Sequence, residues 1–175
     1  MTAPRSIDRV FAAMDPPPPR ANGWWLLAWT EFQRQFDGLV AEVAQLRSKD
    51  PEGYGSHPKS KLLATLFRLV TADVPRDPAN PDFRQGNTLG EAHRGWFRAK
   101  FHQRFRLFFR FRSADRMVVY VWINSEAGLR KEGDRNDPYN VFRRMLERGS
   151  PPSDFDALLR ECAGLGLPSV GDAPP

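Results

Sequence analysis

Residues 97–112 read FRAKFHQRFRLFFRFR, and their reading decides the architecture. The sixteen positions hold six Arg or Lys, six Phe and no acid. Side chains of an extended chain alternate between two faces, so the two sets separate by parity. From 104 to 112 the odd positions are Phe105, Leu107, Phe109 and Phe111, and the even ones are Arg104, Arg106, Phe108, Arg110 and Arg112. Just before, Phe97, Ala99 and Phe101 alternate with Trp96, Arg98, Lys100 and His102. The pattern predicts two strands with one face packed on helices and the other face presenting cations with few acids to neutralise them.

Working outward, segments 95–103, 104–113 and 115–124 have joints short enough for an antiparallel meander. The third of them, RMVVYVWIN, is apolar on both faces, as a central strand is. Upstream, GWWLLAW (23–29) follows the turn signal Asn22-Gly23 and reads as a buried strand. Phe32, Phe36, Leu39, Val40, Val43 and Leu46 then recur at helical spacing, and a second helix is expected over about 59–71. Residues 75–90, with three prolines and two glycines, form a long irregular connection. A helix should begin at Asp137-Pro138, where the acid caps and the proline takes a first-turn position, and a last one at Ser153-Asp154. Strand, two helices, three strands and further helices give an α+β domain: a small, mainly antiparallel sheet with the N-terminal helices on one face.

The chain has 175 residues, enough for one domain with a real core. Pro16–Pro19 mark residues 1–20 as an extended arm, and the Gly- and Pro-rich 166–175 read as a flexible tail, which leaves 21–165 as the domain. No apolar run approaches the roughly 20 residues of a membrane span, no signal-peptide pattern opens the sequence, and a single cysteine allows no internal disulfide. The expectation is a cytoplasmic protein with no membrane partner. The net charge of +5 points to a polyanionic partner.

Two readings of the cationic face stand at this level. Antiparallel sheets often keep one wet, charged face. Against that, like charges gathered in a sheet repel, and an anionic ligand is the usual compensation. A nucleic acid supplies regular phosphates, and Trp96 and Phe108 among the cations would stack on unpaired bases. No spacing of His or Cys suits a metal, and no cofactor is expected.

Several stretches also carry a family resemblance: NGWWLLAW, LVAEVAQLRSKDPEGY, KSKLLATLFRLV, DFRQGNTLG, WFRAKFHQRFRLFFRF and WINSEAGLRKEGDRNDPYNVFRRMLERGSPPSDFDALLRE. In order and spacing, over about residues 22–155, the chain resembles the YhaV toxins of bacterial type II toxin–antitoxin systems, within the RelE superfamily of small ribonucleases. The resemblance implies a RelE-like domain and metal-independent mRNA cleavage, typically on the ribosome. It also implies neutralisation by a PrlF-like antitoxin of AbrB type, whose complex with the toxin represses operator DNA. Such enzymes work with lysines, arginines and often a tyrosine. Carried onto this sequence, the catalytic set is Arg98, Lys100, Arg106, Arg130 and Tyr139. Arg98, Arg106 and Arg130 are expected to clamp phosphate, Lys100 to transfer a proton, and Tyr139 to stack on a base or touch the 2′-hydroxyl. Arg104, Arg110, Asn124, Lys131, Arg135, Trp96 and His102 are the expected RNA contacts.

Alternatives remain open for several of these. Arg104 would equally serve the turn, Tyr139 the core, Asn124 the end of its strand, and Arg110 and Arg112 a solvated face or antitoxin contacts. His102 faces the same side, and histidine is the obvious general base near neutral pH, though this superfamily does not usually rely on one. A nucleic-acid-binding module without catalysis, or a domain whose basic face meets only an antitoxin, would need the same cations.

Overall fold

Alternation along the strands holds, but both faces of the sheet are covered. The computed structural model describes residues 6–169. The elements run α1 (Ser6–Ala12), β1 (Arg20–Ala21), β2 (Trp24–Trp29), α2 (Thr30–Lys49), α3 (Pro58–Arg68) and α4 (Val74–Arg76). Then come β3 (Phe97–Phe101), β4 (Phe105–Arg112), β5 (Met117–Ile123), α5 (Pro138–Glu147), α6 (Phe155–Arg160) and β6 (Cys162–Gly164). None of the described helices is long and apolar enough to cross a membrane.

The strand order is β1-β2-β5-β4-β3, with β6 also paired to β2. The meander β3–β4–β5 is antiparallel, as its short joints require. The sheet as a whole is mixed, because β2 runs parallel to β5, with Trp25 opposite Met117 and Ala28 opposite Tyr120. This corrects the mainly antiparallel expectation. Three helices, a long connection and two strands separate β2 from β5, so no hairpin joint dictates their relative direction. Val121 has no partner on β4: Phe108 sits opposite Trp122 and Phe109 opposite Tyr120. This bulge turns both Val121 and Trp122 toward the α5 side.

On one face, α2 and α3 bury Phe32, Phe36, Leu39, Leu63 and Leu66 against Leu26, Leu107, Phe109, Val118 and Tyr120. The Pro58 start of α3 is capped by His57, whose Nδ1 accepts from the Lys59 N–H at 3.1 Å. On the other face, α5 and α6 bury Phe142, Leu146 and Leu158 against Trp25, Leu27, Phe108, Val119 and Val121. The face expected to be open and cationic is therefore half of a second core. Phe142 is fully buried, stacked on Phe108 at 4.3 Å and edge-on to Trp96 at 5.1 Å. Trp96 and Phe108 are core residues, which corrects their reading as base-stacking platforms.

The proline-rich segment also differs from an extended arm. Residues 1–5 and 170–175 lie outside the described residues, but α1 packs Phe11 edge-on against Trp25 at 5.2 Å. Asp8 accepts the Trp25 indole N–H at 2.7 Å, and the Arg20 guanidinium lies 4.3 Å over the same ring. Pro19 O accepts from Leu26 N–H at 2.9 Å. The prolines carry the chain from α1 to β1 along the sheet edge. At the other end, Gly166 exchanges hydrogen bonds with Gln33, donating at 2.8 Å and accepting at 3.1 Å. Phe11→Ala should lower stability by about 1–3 kcal/mol in urea titrations, the scale for losing a part-buried aromatic. A truly free arm would show no change.

Candidate active site

The β3–β4 register places Arg98 opposite Phe108 and Lys100 opposite Arg106, so Arg98 and Arg106 are diagonal neighbours on one face. Tyr139 reaches them from the first turn of α5. Asp137 sets that turn: its Oδ1 accepts from the Tyr139 N–H at 3.0 Å, and Pro138 follows with the backbone angle a helix start needs. Arg98 Nε donates to Tyr139 Oη at 2.9 Å, and Arg106 Nε donates to the same oxygen at 3.1 Å. A phenol oxygen accepts two such bonds and keeps its own proton to donate.

Both arginines are buried, at 9% and 6% exposure, and both are pinned a second time. Arg98 Nη1 donates to Asp82 O at 2.6 Å, and Arg106 Nη1 to Gln103 O and Phe105 O at 2.9 Å each. Among the described residues neither Nη2 has a hydrogen-bond partner, and neither is a buried unpaired atom. Two guanidinium groups are thus fixed by Nε and Nη1 and keep Nη2 for a ligand. A third joins them: Arg130 lies with its guanidinium carbon 5.0 Å over the Tyr139 ring, and its Nη1 donates to Asp137 Oδ2 at 2.6 Å. That hydrogen bond raises the Arg130 pKa above the ordinary arginine value. Four of the five expected catalytic residues meet at one tyrosine. Lys100, the fifth, lies on the same strand face, exposed and without a partner among the described residues.

The expected RNA contacts divide. Lys131 and Arg135 are exposed on the loop before α5, their side chains without partners among the described residues. Arg104 is exposed, and its Nε donates to Arg130 O at 3.1 Å while its own carbonyl accepts from the Arg130 N–H at 2.9 Å. It anchors the loop that carries Arg130. Asn124 is buried with every side-chain atom engaged: Oδ1 accepts from the Arg106 N–H, and Nδ2 donates to Arg104 O and Gly128 O. It serves the backbone around the site. Arg110 lies between the rings of Trp96 and Phe155 and donates to Ser153 O, where burial lowers its pKa. It clasps the segment before α6 to the sheet.

His102 leaves the basic face altogether. With Gln103 it forms the β3–β4 turn at φ +44° and +62°, and its Nε2 lies 2.8 Å from Thr65 Oγ1 on α3. Turn residues do not follow strand parity, which is why the alternation misplaced it. Cys162 is not a nucleophile either: burial pushes its thiol up to about 12, so it stays protonated at neutral pH.

Two contributors escaped the sequence reading. The Asp82 carbonyl, from the long connection, holds Arg98, and Asp137 holds Arg130 as well as the helix start. The cap signature at Asp137-Pro138 was visible, but nothing local announces the reach of its second oxygen.

Three guanidinium groups thus gather around one phenol, beside a lysine without a partner among the described residues, and guanidinium donors of this kind suit phosphate or carboxylate groups. A family model described as a toxin with endonuclease activity, of a toxin–antitoxin system, matches residues 26–163. The chain is 42% identical over 146 residues to the ribonuclease toxin YhaV of Escherichia coli strain K12, an alignment covering 82% of this chain and 95% of the relative. Toxin YhaV of Escherichia coli O157:H7 matches to the same extent. No solved structure gives a significant match. The chain belongs to the YhaV family of toxins with endonuclease activity.

Proposed function

We propose that this protein is the ribonuclease toxin of its system and cuts single-stranded mRNA at the site around Tyr139. The observation that carries the reading is the convergence of Arg98, Arg106 and Arg130 on one tyrosine, each with N–H donors to spare. The 2′-hydroxyl attacks the adjacent phosphorus and yields its proton to solvent, and the bond to the 5′-oxygen breaks, leaving a 2′,3′-cyclic phosphate. Charge builds on the phosphoryl oxygens during this step, so donors already fixed there favour the transition state over the ground state. Arg98, Arg106 and Arg130 hold the phosphate, and Tyr139 aligns two of them and offers its own proton. Lys100 protonates the departing 5′-oxygen. Lys131 and Arg135 hold flanking phosphates.

The same reading gives the domain a RelE-like arrangement and places it in the cytoplasm, acting on mRNA at the ribosome. Its antitoxin is of the PrlF-like, AbrB-type class, and the complex of the two binds operator DNA.

The test is to map RNA 5′ ends after induced expression in bacteria, with wild type and Arg98→Lys side by side. Lysine keeps the charge but not the planar fork that bonds Tyr139 and Asp82 together. New 5′ ends with growth arrest, both lost in the variant, are expected. RNA binding by the purified wild type with no new ends would leave a binding module instead. A separate expectation concerns Lys100→Ala. Binding of an uncleavable RNA oligonucleotide should weaken, and the slope of log K against log salt should fall by about 0.7, one phosphate contact on a single strand.

A further inference from the structure

We propose that Asp137 is a positioning residue of the active site, acting through Arg130, in addition to capping α5. The proposal rests on the reading of this site as an RNA-cleaving centre. Asp137 is almost fully buried, and a buried carboxylate is costly unless it is bonded on all sides. Capping uses only Oδ1, and Asn or Ser would do that work about as well. Oδ2 does something a cap does not need: it accepts from Arg130 Nη1 at 2.6 Å and from the Lys131 N–H at 2.8 Å.

The backbone of Arg130 is already held by Arg104, through the N–H at 2.9 Å and the carbonyl at 3.1 Å. What Asp137 adds is the direction of the guanidinium, which without it would swing freely toward solvent. With it, the group lies 5.0 Å over the Tyr139 ring, while Nε and Nη2 stay outside the ion pair. Among the described residues, no other carboxylate is ion-paired with Arg98, Arg106 or Arg130. One acid therefore sets both the start of α5, which delivers Tyr139, and the third cation above it. A single side chain ties the phenol and Arg130 to one frame.

The test is a double-mutant cycle on the purified full chain, using a single-stranded RNA oligonucleotide as substrate. Asp137→Asn keeps the cap and removes the charge. Its kcat should fall about tenfold to a hundredfold, the scale of misplacing one transition-state donor. Its KM should stay level or fall, because a negative charge beside the RNA is gone, and its melting temperature should fall by about 2–12 °C, since the amide nitrogen faces the Arg130 and Lys131 donors that Oδ2 accepted, leaving the protein folded at the assay temperature. Arg130→Gln should lose activity by itself, and the double variant should lose no more than Arg130→Gln alone. Losses that multiply, a raised KM in Asp137→Asn, or a wild-type kcat there would each overturn the proposal. A wild type that does not cut RNA would bring down the reading of the site, and this proposal with it. A wild type that cuts while the losses multiply brings down the proposal only.

Discussion

Tyr139→Phe is expected to lower RNA cleavage by roughly 10²- to 10³-fold and to destabilise the protein by about 1–3 kcal/mol. The change removes one oxygen atom and leaves the ring. Both guanidinium Nε groups then lose their acceptor inside a site where Arg98 and Arg106 are nearly buried, and an unpaired buried donor carries its full desolvation cost. The two cations also repel each other without the phenol between them. Initial rates on an RNA oligonucleotide measure the first effect, and urea titration the second. The ring contact with Phe108, at 5.7 Å, survives in the variant. If Tyr139 were only a core aromatic, phenylalanine would serve as well, and a rate within threefold of wild type would sink the assignment.

Phe142→Ala has the largest expected cost in stability, about 3–5 kcal/mol, because it empties a site enclosed by Phe108, Trp96 and Trp122. For a chain of this size that lowers the melting temperature by roughly 6–20 °C. Cleavage should fall in step with the folded fraction, since α5 is held to the sheet through Phe142 and carries Tyr139. Calorimetry against Phe142→Leu separates cavity from chemistry: leucine refills much of the space and should restore most of both. A Phe142→Ala protein with the wild-type melting temperature would mean that α5 is not seated as described.

The sequence held most of the elements and much of the site, for reasons visible in particular residues. Period-two alternation placed Arg98, Lys100 and Arg106 on one face, and Asp137-Pro138 announced the helix start that brings Tyr139. Alternation does not say what covers a face. The clue lay in GWWLLAW and MVVYVWI, whose apolar residues on both faces require a layer on each side, and α5 with its Phe142 and Leu146 supplies the second. The direction of β2 against β5 had no local signal, since it follows from a crossover rather than a turn. His102 went astray because a left-handed turn breaks parity, and Asn124 and Arg110 because a polar residue near a cationic site reads alike whether it holds RNA or backbone. The helix at Ser6–Ala12 was masked by the prolines after it, although Ile7 and Phe11 already supplied its apolar side.

Arg98 and Tyr139 stand 41 residues apart in the chain, and Arg106 and Tyr139 stand 33 apart. Domains are made from the N-terminus at about 5–20 residues per second, so the strands that carry the two arginines leave the ribosome seconds before the helix that orients them. During that interval a nascent chain holds the cations without their shared acceptor and without Asp137. The site is therefore a property of the finished chain: Arg98 and Arg106 have no shared geometry around Tyr139 until α5 has emerged and packed on the sheet.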